Sequence, residues 1–312
     1  MYAIGIDIGG MSIKAGLVKD GKIISSNKKA TAPTAEQSLD NLILQIKSLL
    51  SENSLTEKDI AGIGIGCPGL ISSKEGIVDH NSNMKWENFH LVDLLKQSFN
   101  VKIKLSNDAN VAALGETVYG SAAKYENAVM LTLGTGVGGG IIIDGKLYEG
   151  GFSKGAELGH TVIVKGGEKC GCGRCGCLEA YASATGLIRM TKAAMEKDTK
   201  SAMWSYVGGD IDKVDGKTSF ECAKTGDKAA NNVVNDFVAY LSEGIINFAN
   251  IFRPDVFIIG GGVSAQGNYL IDKLKGYCKK FNYGYINAPK FEIVAASLGN
   301  DAGIIGAAAL VL

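Results

Sequence analysis

Ala3-Ile4-Gly5-Ile6-Asp7-Ile8-Gly9-Gly10 runs on into Ile13-Lys14-Ala15-Gly16-Leu17-Val18 and then Asp20-Gly21-Lys22. The same succession returns as Val129-Met130-Leu131-Thr132-Leu133-Gly134-Thr135-Gly136, Gly139-Gly140-Ile141-Ile142-Ile143 and Asp144-Gly145-Lys146. Each copy reads as a strand, a glycine turn, a second strand and an Asp-Gly-Lys hairpin leading to a third. Repetition of one α/β unit is a stronger signal than either glycine turn alone. It predicts two lobes, which a chain of 312 residues also favours over a single core.

A glycine-rich turn lets backbone N–H groups approach phosphate oxygens with no Cβ in the way. Neither turn continues into the Gly-Lys-Ser/Thr of a P-loop, and each by itself is equally a tight turn. Two related turns point instead to a triphosphate gripped from both sides, by Asp7, Gly9 and Gly10 in one copy and Gly134, Thr135 and Gly136 in the other. Asp7 is then expected near the metal bound to the phosphates. Lys14 is either an added positive charge or a surface lysine. After the buried strand Val256-Phe257-Ile258-Ile259, Gly261 and Gly262 of a triple glycine offer a bed for an adenosine moiety, or a plain turn.

Between the copies, an extended segment from Val101 to Leu105 meets an alanine-rich helix at Asn107-Asp108, and Asn300-Asp301-Ala302-Gly303 has the same form near the end of the chain. An Asp at a helix N-terminus is ordinarily a cap. Asp108 is expected to do chemistry, because it precedes the second glycine repeat at the expected hinge; Asp301 is expected to cap. Leu39, Leu42, Ile43, Ile46, Leu49 and Leu50 keep helical spacing, and a long helix is expected from Ala229 to Phe252, stopped at Arg253-Pro254. Ile63 to Gly69 reads as a strand ending in a turn, with Cys67 a buried thiol.

Four of the seven cysteines and one of the three histidines fall between positions 160 and 177. Zinc favours four such ligands in a tetrahedron, and a glycine-rich turn lets the chain wrap the ion. A disulfide is the alternative, but Cys170 and Cys172 are too close in sequence to bridge comfortably. Four thiols compete for three places, so the expected ligands are His160, Cys170, Cys172 and Cys177, with Cys175 left out. Glu157 and Glu179 flank the cluster. They are either solvated or acceptors for the vicinal hydroxyls of a polyhydroxylated ligand. A zinc-bound His160 would have its second ring nitrogen fixed as a donor toward a ligand oxygen.

Lys plus Arg and Asp plus Glu both number 32, so there is no basic field for nucleic acid. Hydrophobic residues make up 46%, as in a soluble globular enzyme. The longest apolar run, near Ile304 to Leu312, is far short of a spanning helix, so no membrane partner is expected. A strand expected to start at Tyr2, with no cationic leader, and a zinc-type cysteine cluster together suggest the reducing cytoplasm.

In order along the whole chain, the Asp7-Ile8-Gly9-Gly10 loop, Asn107-Asp108, Leu133 to Gly140, the Glu157-x-Gly-His160 box, Cys170 to Glu179, the triple glycine and Leu298-Gly299-Asn300-Asp301-Ala302-Gly303 resemble the sugar kinases of the ROK family, and most closely its bacterial ATP-dependent glucokinases. Met11 departs from the pattern, where a hydroxyl residue commonly follows the glycines. The resemblance implies an α/β, two-lobed actin-like ATPase (ribonuclease H-like) fold with a zinc-binding loop, ATP and sugar meeting in an interlobe cleft. A small α/β domain is expected over residues 1–116, completed by the C-terminal helix at about 300–312. A large α/β domain with the zinc loop is expected over 117–299.

Asp108 resembles the general base, and Asn107, Asp108, Glu157, His160 and Glu179 resemble the sugar ligands. The implied cofactors are structural Zn²⁺ and Mg²⁺ with ATP, and the implied assembly is a homo-oligomer, a dimer or tetramer. The implied activity is phosphorylation of D-glucose on its 6-hydroxyl. Kinases of N-acetylmannosamine, N-acetylglucosamine or fructose are the alternatives within the family. A sugar-responsive regulator without a DNA-binding domain is the alternative of another class, because the family includes repressors. A catalytically dead sugar-binding scaffold would be expected to lose the base, whereas Asp108 is present. The segment Asn83-Met84-Lys85-Trp86 either lies over the sugar or packs structurally.

Overall fold

The computed structural model describes residues 1–81, 84–284 and 290–312. Its contacts divide the chain into two compact units, one of residues 1–128, 140–156 and 297–312 and the other of 129–139 and 157–296. These limits differ from the division expected at 116: the helix that carries Asp108 runs unbroken past that position, and residues 140–156 group with the first unit.

In the first unit β1 (Tyr2–Ile8), β2 (Ser12–Lys19) and β3 (Lys22–Ala30) form an antiparallel meander, with Ile8 opposite Ile13 across the first glycine turn. The helix α1 (Ala35–Glu52) buries Leu42, Ile46, Leu49 and Leu50, the stripe that the helical spacing predicts. Strand β4 (Ile60–Cys67) runs parallel to β1. A small antiparallel sheet of β5 (Leu70–Ser72), β6 (Ile77–Asn81) and β7 (Trp86–Phe89) follows, then α2 (Leu91–Lys96). Strand β8 (Ile103–Asn107) pairs in parallel with β4, placing Asn107 opposite Cys67, and passes directly into α3 (Asp108–Val118). The main sheet has the order β3-β2-β1-β4-β8.

The second copy of the repeat is β9 (Ala128–Leu133), β10 (Val137–Ile143) and β11 (Lys146–Tyr148). Both Asp-Gly hairpins turn through the left-handed region, at φ 49° and 74° for Asp20-Gly21 and 51° and 70° for Asp144-Gly145, as a two-residue hairpin requires. Irregular chain then leads through the cysteine cluster to α4 (Glu179–Ala182), α5 (Ala184–Lys197), α6 (Ala202–Tyr206), α7 (Thr218–Lys224) and α8 (Lys228–Phe252). Asp227 caps α8 by accepting from the Ala230 N–H, and Arg253, in the left-handed conformation ahead of Pro254, ends it. Strand β12 (Val256–Gly260), α9 (Asn268–Phe281) and β13 (Glu292–Ala295) complete a sheet of order β11-β10-β9-β12-β13. Position for position this is the order of the first sheet, so the sequence repeat is a repeat of topology.

The last helix, α10 (Ala302–Ala309), belongs to the first unit and is rich in Gly and Ala, which lets it lie close on β1, β4 and α3. The expectation that Asp301 caps it is not met. Asp301 already has helical backbone, φ −94° and ψ −9°, as the end of the one-turn helix Gly299–Asp301, and its side chain makes no capping hydrogen bond. A capping side chain reaches the N–H groups ahead of it from extended backbone, which this position lacks. Among the described residues, no helix is long and apolar enough to cross a membrane.

Candidate active-site elements

In the first unit the strand-to-helix junction separates two roles that the sequence leaves joined. Asn107 is the N-cap: its Oδ1 accepts from the Ala109 N–H at 2.9 Å, while its Nδ2 donates to the Gly69 carbonyl at 3.3 Å. Asp108 therefore stands one position inside the helix with an exposed carboxyl group, one oxygen of which also accepts from the Ala109 N–H. Cys67 lies fully buried in the same neighbourhood, as expected. Burial, reinforced by the negative charges of Asp108 and Asp7, pushes its thiol far up and keeps it neutral.

Asp7, half-buried near the end of β1, forms an ion pair with Lys14 at 3.2 Å, so the lysine charge is already engaged. The start of α10 comes so near that a Cβ on Gly303 would stand 2.7 Å from the Asp7 carboxyl carbon. The turn of Gly9 and Gly10 is held by Gly9 N–H to Ser12 O at 2.9 Å and by Thr31 Oγ1 to Gly9 O at 2.6 Å, with Met11 90% exposed at its tip.

In the second unit the sulfurs of Cys170, Cys172 and Cys177 and a ring nitrogen of His160 all lie within 4.8 Å of one another. His160 Nδ1 is 3.7 Å from Cys170 Sγ, and Cys172 Sγ is 3.7 Å from Cys177 Sγ. Two sulfurs on one tetrahedral zinc, each at about 2.3 Å, would be about 3.8 Å apart, so the donor set and its spacing fit that ion. Cys175 is exposed and paired by its backbone to Lys169, outside the group. Burial pushes the Cys170 thiol up to about 12 and raises Cys177, whereas the Arg174 N–H lowers Cys172; a bound dication would take all three as thiolates.

Glu157 and His160 bracket a one-turn helix, Leu158–His160, with Glu157 exposed. Glu179, at the start of α4, has Oε1 3.3 Å from Cys170 Sγ and 4.0 Å from His160 Nδ1. Its other oxygen, Oε2, accepts from the Val137 N–H at 3.0 Å, directly beyond the second glycine turn. In that turn Gly134 N–H donates to Gly136 O and Thr135 is exposed. Gly261, also exposed, packs on the Leu133 backbone, and Gly262 follows it.

Two carboxylates escaped the sequence reading. Glu116 is completely buried and accepts from the N–H groups of Ser121, Ser297 and Leu298 and the hydroxyls of Ser121 and Ser297, tying α3 to the segment before α10. Glu149 Oε1 accepts from Ser73 and Ser106, both at 2.6 Å, beside Asn107. Neither lies in a spacing pattern; a charged residue on the inward side of an alanine-rich helix was the one available sign of Glu116. Of the segment suggested to cover a sugar, Asn83 lies outside the described residues, while Trp86 is 2% exposed and packs at a tilt on Phe89, ring centroids 5.1 Å apart, which is core packing.

The ROK family model matches residues 3–312. A glucokinase of Thermotoga maritima is 38% identical over 314 residues, covering 99% of this chain and 96% of that protein. A xylose repressor of Caldicellulosiruptor bescii is 32% identical over 257 residues, covering 82% of this chain and 64% of that protein. Among solved structures, a ROK family glucokinase from Streptomyces griseus in complex with glucose and AMPPNP superposes with a TM-score of 0.82 at 35% identity, covering 99% of each chain. With two sheets of one order in an actin-like ATPase fold and a match along nearly its whole length, the chain belongs to the ROK family.

Proposed function

We propose that this protein is an ATP-dependent hexose kinase that phosphorylates D-glucose on its 6-hydroxyl, with Asp108 as the general base. The observation that supports the base assignment is the place of Asp108: an exposed carboxyl group in the first turn of α3, directly after the Asn107 N-cap at the end of a sheet strand. Phosphoryl transfer passes through a loose transition state, so positioning and charge neutralisation supply most of the acceleration. Asp108 orients the sugar hydroxyl and takes its proton late. Asn107, Glu157, His160 and Glu179 hold the other hydroxyls, two carboxylates accepting and an imidazole donating.

His160 presents Nδ1 to the sulfurs, so zinc held by His160, Cys170, Cys172 and Cys177 would fix the ring with Nε2 free to donate. Zinc would act there as a structural staple, and Mg²⁺ with ATP would neutralise phosphate charge. The turn of Gly9 and Gly10, with Lys14, and that of Gly134, Thr135 and Gly136 take the phosphates, Asp7 would stand near the metal bound to them, and Gly261 and Gly262 take the adenosine. All described cysteines are free thiols, in keeping with a reducing cytoplasm. The assembly is a dimer or tetramer, which light scattering measures.

The deciding experiment is an ADP-release assay across glucose, mannose, fructose, N-acetylglucosamine and N-acetylmannosamine. Highest kcat/KM for glucose is expected. Preference for N-acetylmannosamine would replace the sugar and keep the kinase, and turnover with no sugar would overturn the reading. The xylose repressor similarity motivates one control, a DNA-shift assay, which is expected to show no binding.

A further inference from the structure

Glu179 does more than a sugar ligand needs to do. Its Oε2 accepts the Val137 N–H at 3.0 Å, and a Cβ added to Gly136 would stand 2.3 Å from that same oxygen. The absence of a side chain at Gly136 is what allows the carboxylate to reach the turn. The chain just beyond Glu179 holds the turn twice more: Ala184 N–H donates to Gly134 O and Thr185 Oγ1 to Thr135 O, each at 2.8 Å. Meanwhile Oε1 of Glu179 is 3.3 Å from Cys170 Sγ, and only Leu178 separates Glu179 from Cys177. All of these residues belong to one compact unit.

We infer that Glu179 is a positioning residue for the second phosphate turn, and that through it the metal loop sets nucleotide affinity as well as sugar affinity. The inference rests on the proposed reading of Gly134, Thr135 and Gly136 as a phosphate turn. A carboxylate that bridges a metal-held loop and a backbone N–H makes the two move as one piece. Loosening the loop then leaves Val137 without its acceptor, and ordering the turn becomes a cost of binding nucleotide.

The test measures ADP·Mg²⁺ binding by calorimetry without sugar, and glucose binding without nucleotide, on the parent protein, Glu179→Gln, Glu179→Ala and Gly136→Ala, with zinc content recorded for each. The side-chain carbonyl of Gln can still accept from Val137, whereas Ala offers nothing. Glu179→Ala is expected to weaken ADP about fivefold or more, at the low end of ordinary site–site coupling, and Glu179→Gln to stay within about twofold of the parent.

Gly136→Ala, which is not itself a proposed sugar ligand but crowds Glu179, is expected to weaken glucose about fivefold with zinc retained. Chelator-treated parent is expected to lose ADP affinity along with glucose affinity. Equal ADP affinity in parent and Glu179→Ala, or unchanged glucose affinity in Gly136→Ala, overturns the inference. Should Glu179→Ala lose zinc or fold, the Gly136→Ala result decides. A parent that binds neither ligand overturns the kinase reading itself; a parent that binds both while the variants fail these splits overturns the inference alone.

Discussion

The two copies of the strand–turn–strand unit share an order of strands but not a means of holding the turn. The first turn is held by its own hairpin and the strand beside it, through Gly9 to Ser12, Thr31 to Gly9 and the Asp7–Lys14 pair. The second is held from outside, by Glu179, Ala184 and Thr185, all just beyond a cysteine–histidine loop. Between Tyr148 and Glu179 the described chain has one-turn helices and two isolated backbone bridges, Val162 with Cys177 and Lys169 with Cys175, but no strand or longer helix. A topology can thus be duplicated while its support diverges, one turn tied to its own hairpin and the strand beside it and the other also to the chain just beyond the cysteine–histidine cluster.

The largest effect should come from the first unit, with its metal-independent support. Asp108→Asn keeps size and most hydrogen bonding but removes the proton acceptor, so kcat should fall by about 10² or more while glucose still binds. Calorimetry and steady-state kinetics check the split, and zinc content should stay unchanged. Full activity in this variant would remove the chemistry from the first unit.

Next comes the support of the second unit. Cys177→Ser should release the metal and weaken glucose binding by about tenfold or more, the scale seen when the surroundings of a metal site are lost, whereas Cys175→Ser should leave the metal in place. Metal analysis with binding titrations decides it; the reverse result would exchange the roles of these two thiols. Stability that does not depend on the metal sits elsewhere in the same unit. Although burial opposes it, the N–H groups of Ala230 and Ala202 and the Ser201 hydroxyl hold the Asp227 carboxyl below its usual value.

The cap is therefore fully effective above the ordinary Asp range, and its contribution is lost as pH falls through the lowered folded value. Asp227→Ala should cost about 1 to 2 kcal/mol at neutral pH, with parent and variant converging in acid, as read by denaturant melts. The smallest effect returns to the first unit. Asp301→Asn should change stability by less than about 0.5 kcal/mol, because no capping bond is there to lose. A loss of several-fold in kcat from that exposed position, beside the helix end that meets Asp7, would give the second Asn-Asp junction a share in the chemistry.

Much of this was legible along the chain. The two Asp-Gly hairpins, the stripe of α1 and the stop of α8 at Arg253-Pro254 all rest on neighbours a few positions apart, and these local rules operate before any tertiary contact exists. The Asn-Asp junctions show where such rules end: both look alike in sequence, yet the preceding backbone is a strand at Asn107 and a helical turn at Asp301, so one caps and the other does not.

By itself, then, the sequence determined the repeated α/β unit, the cysteine–histidine cluster and the family resemblance, because periodicity, turn chemistry and ligand spacing are short-range. Only the tertiary structure decided that Glu116 reaches Ser297 and Leu298, that Glu149 reaches Ser73 and Ser106, and that Glu179 divides its carboxylate between Val137 and the cysteine loop. Those partners lie tens to more than a hundred positions away in sequence for Glu116 and Glu149, and a carboxylate carries no mark of which distant N–H or hydroxyl it will accept until packing brings the two together.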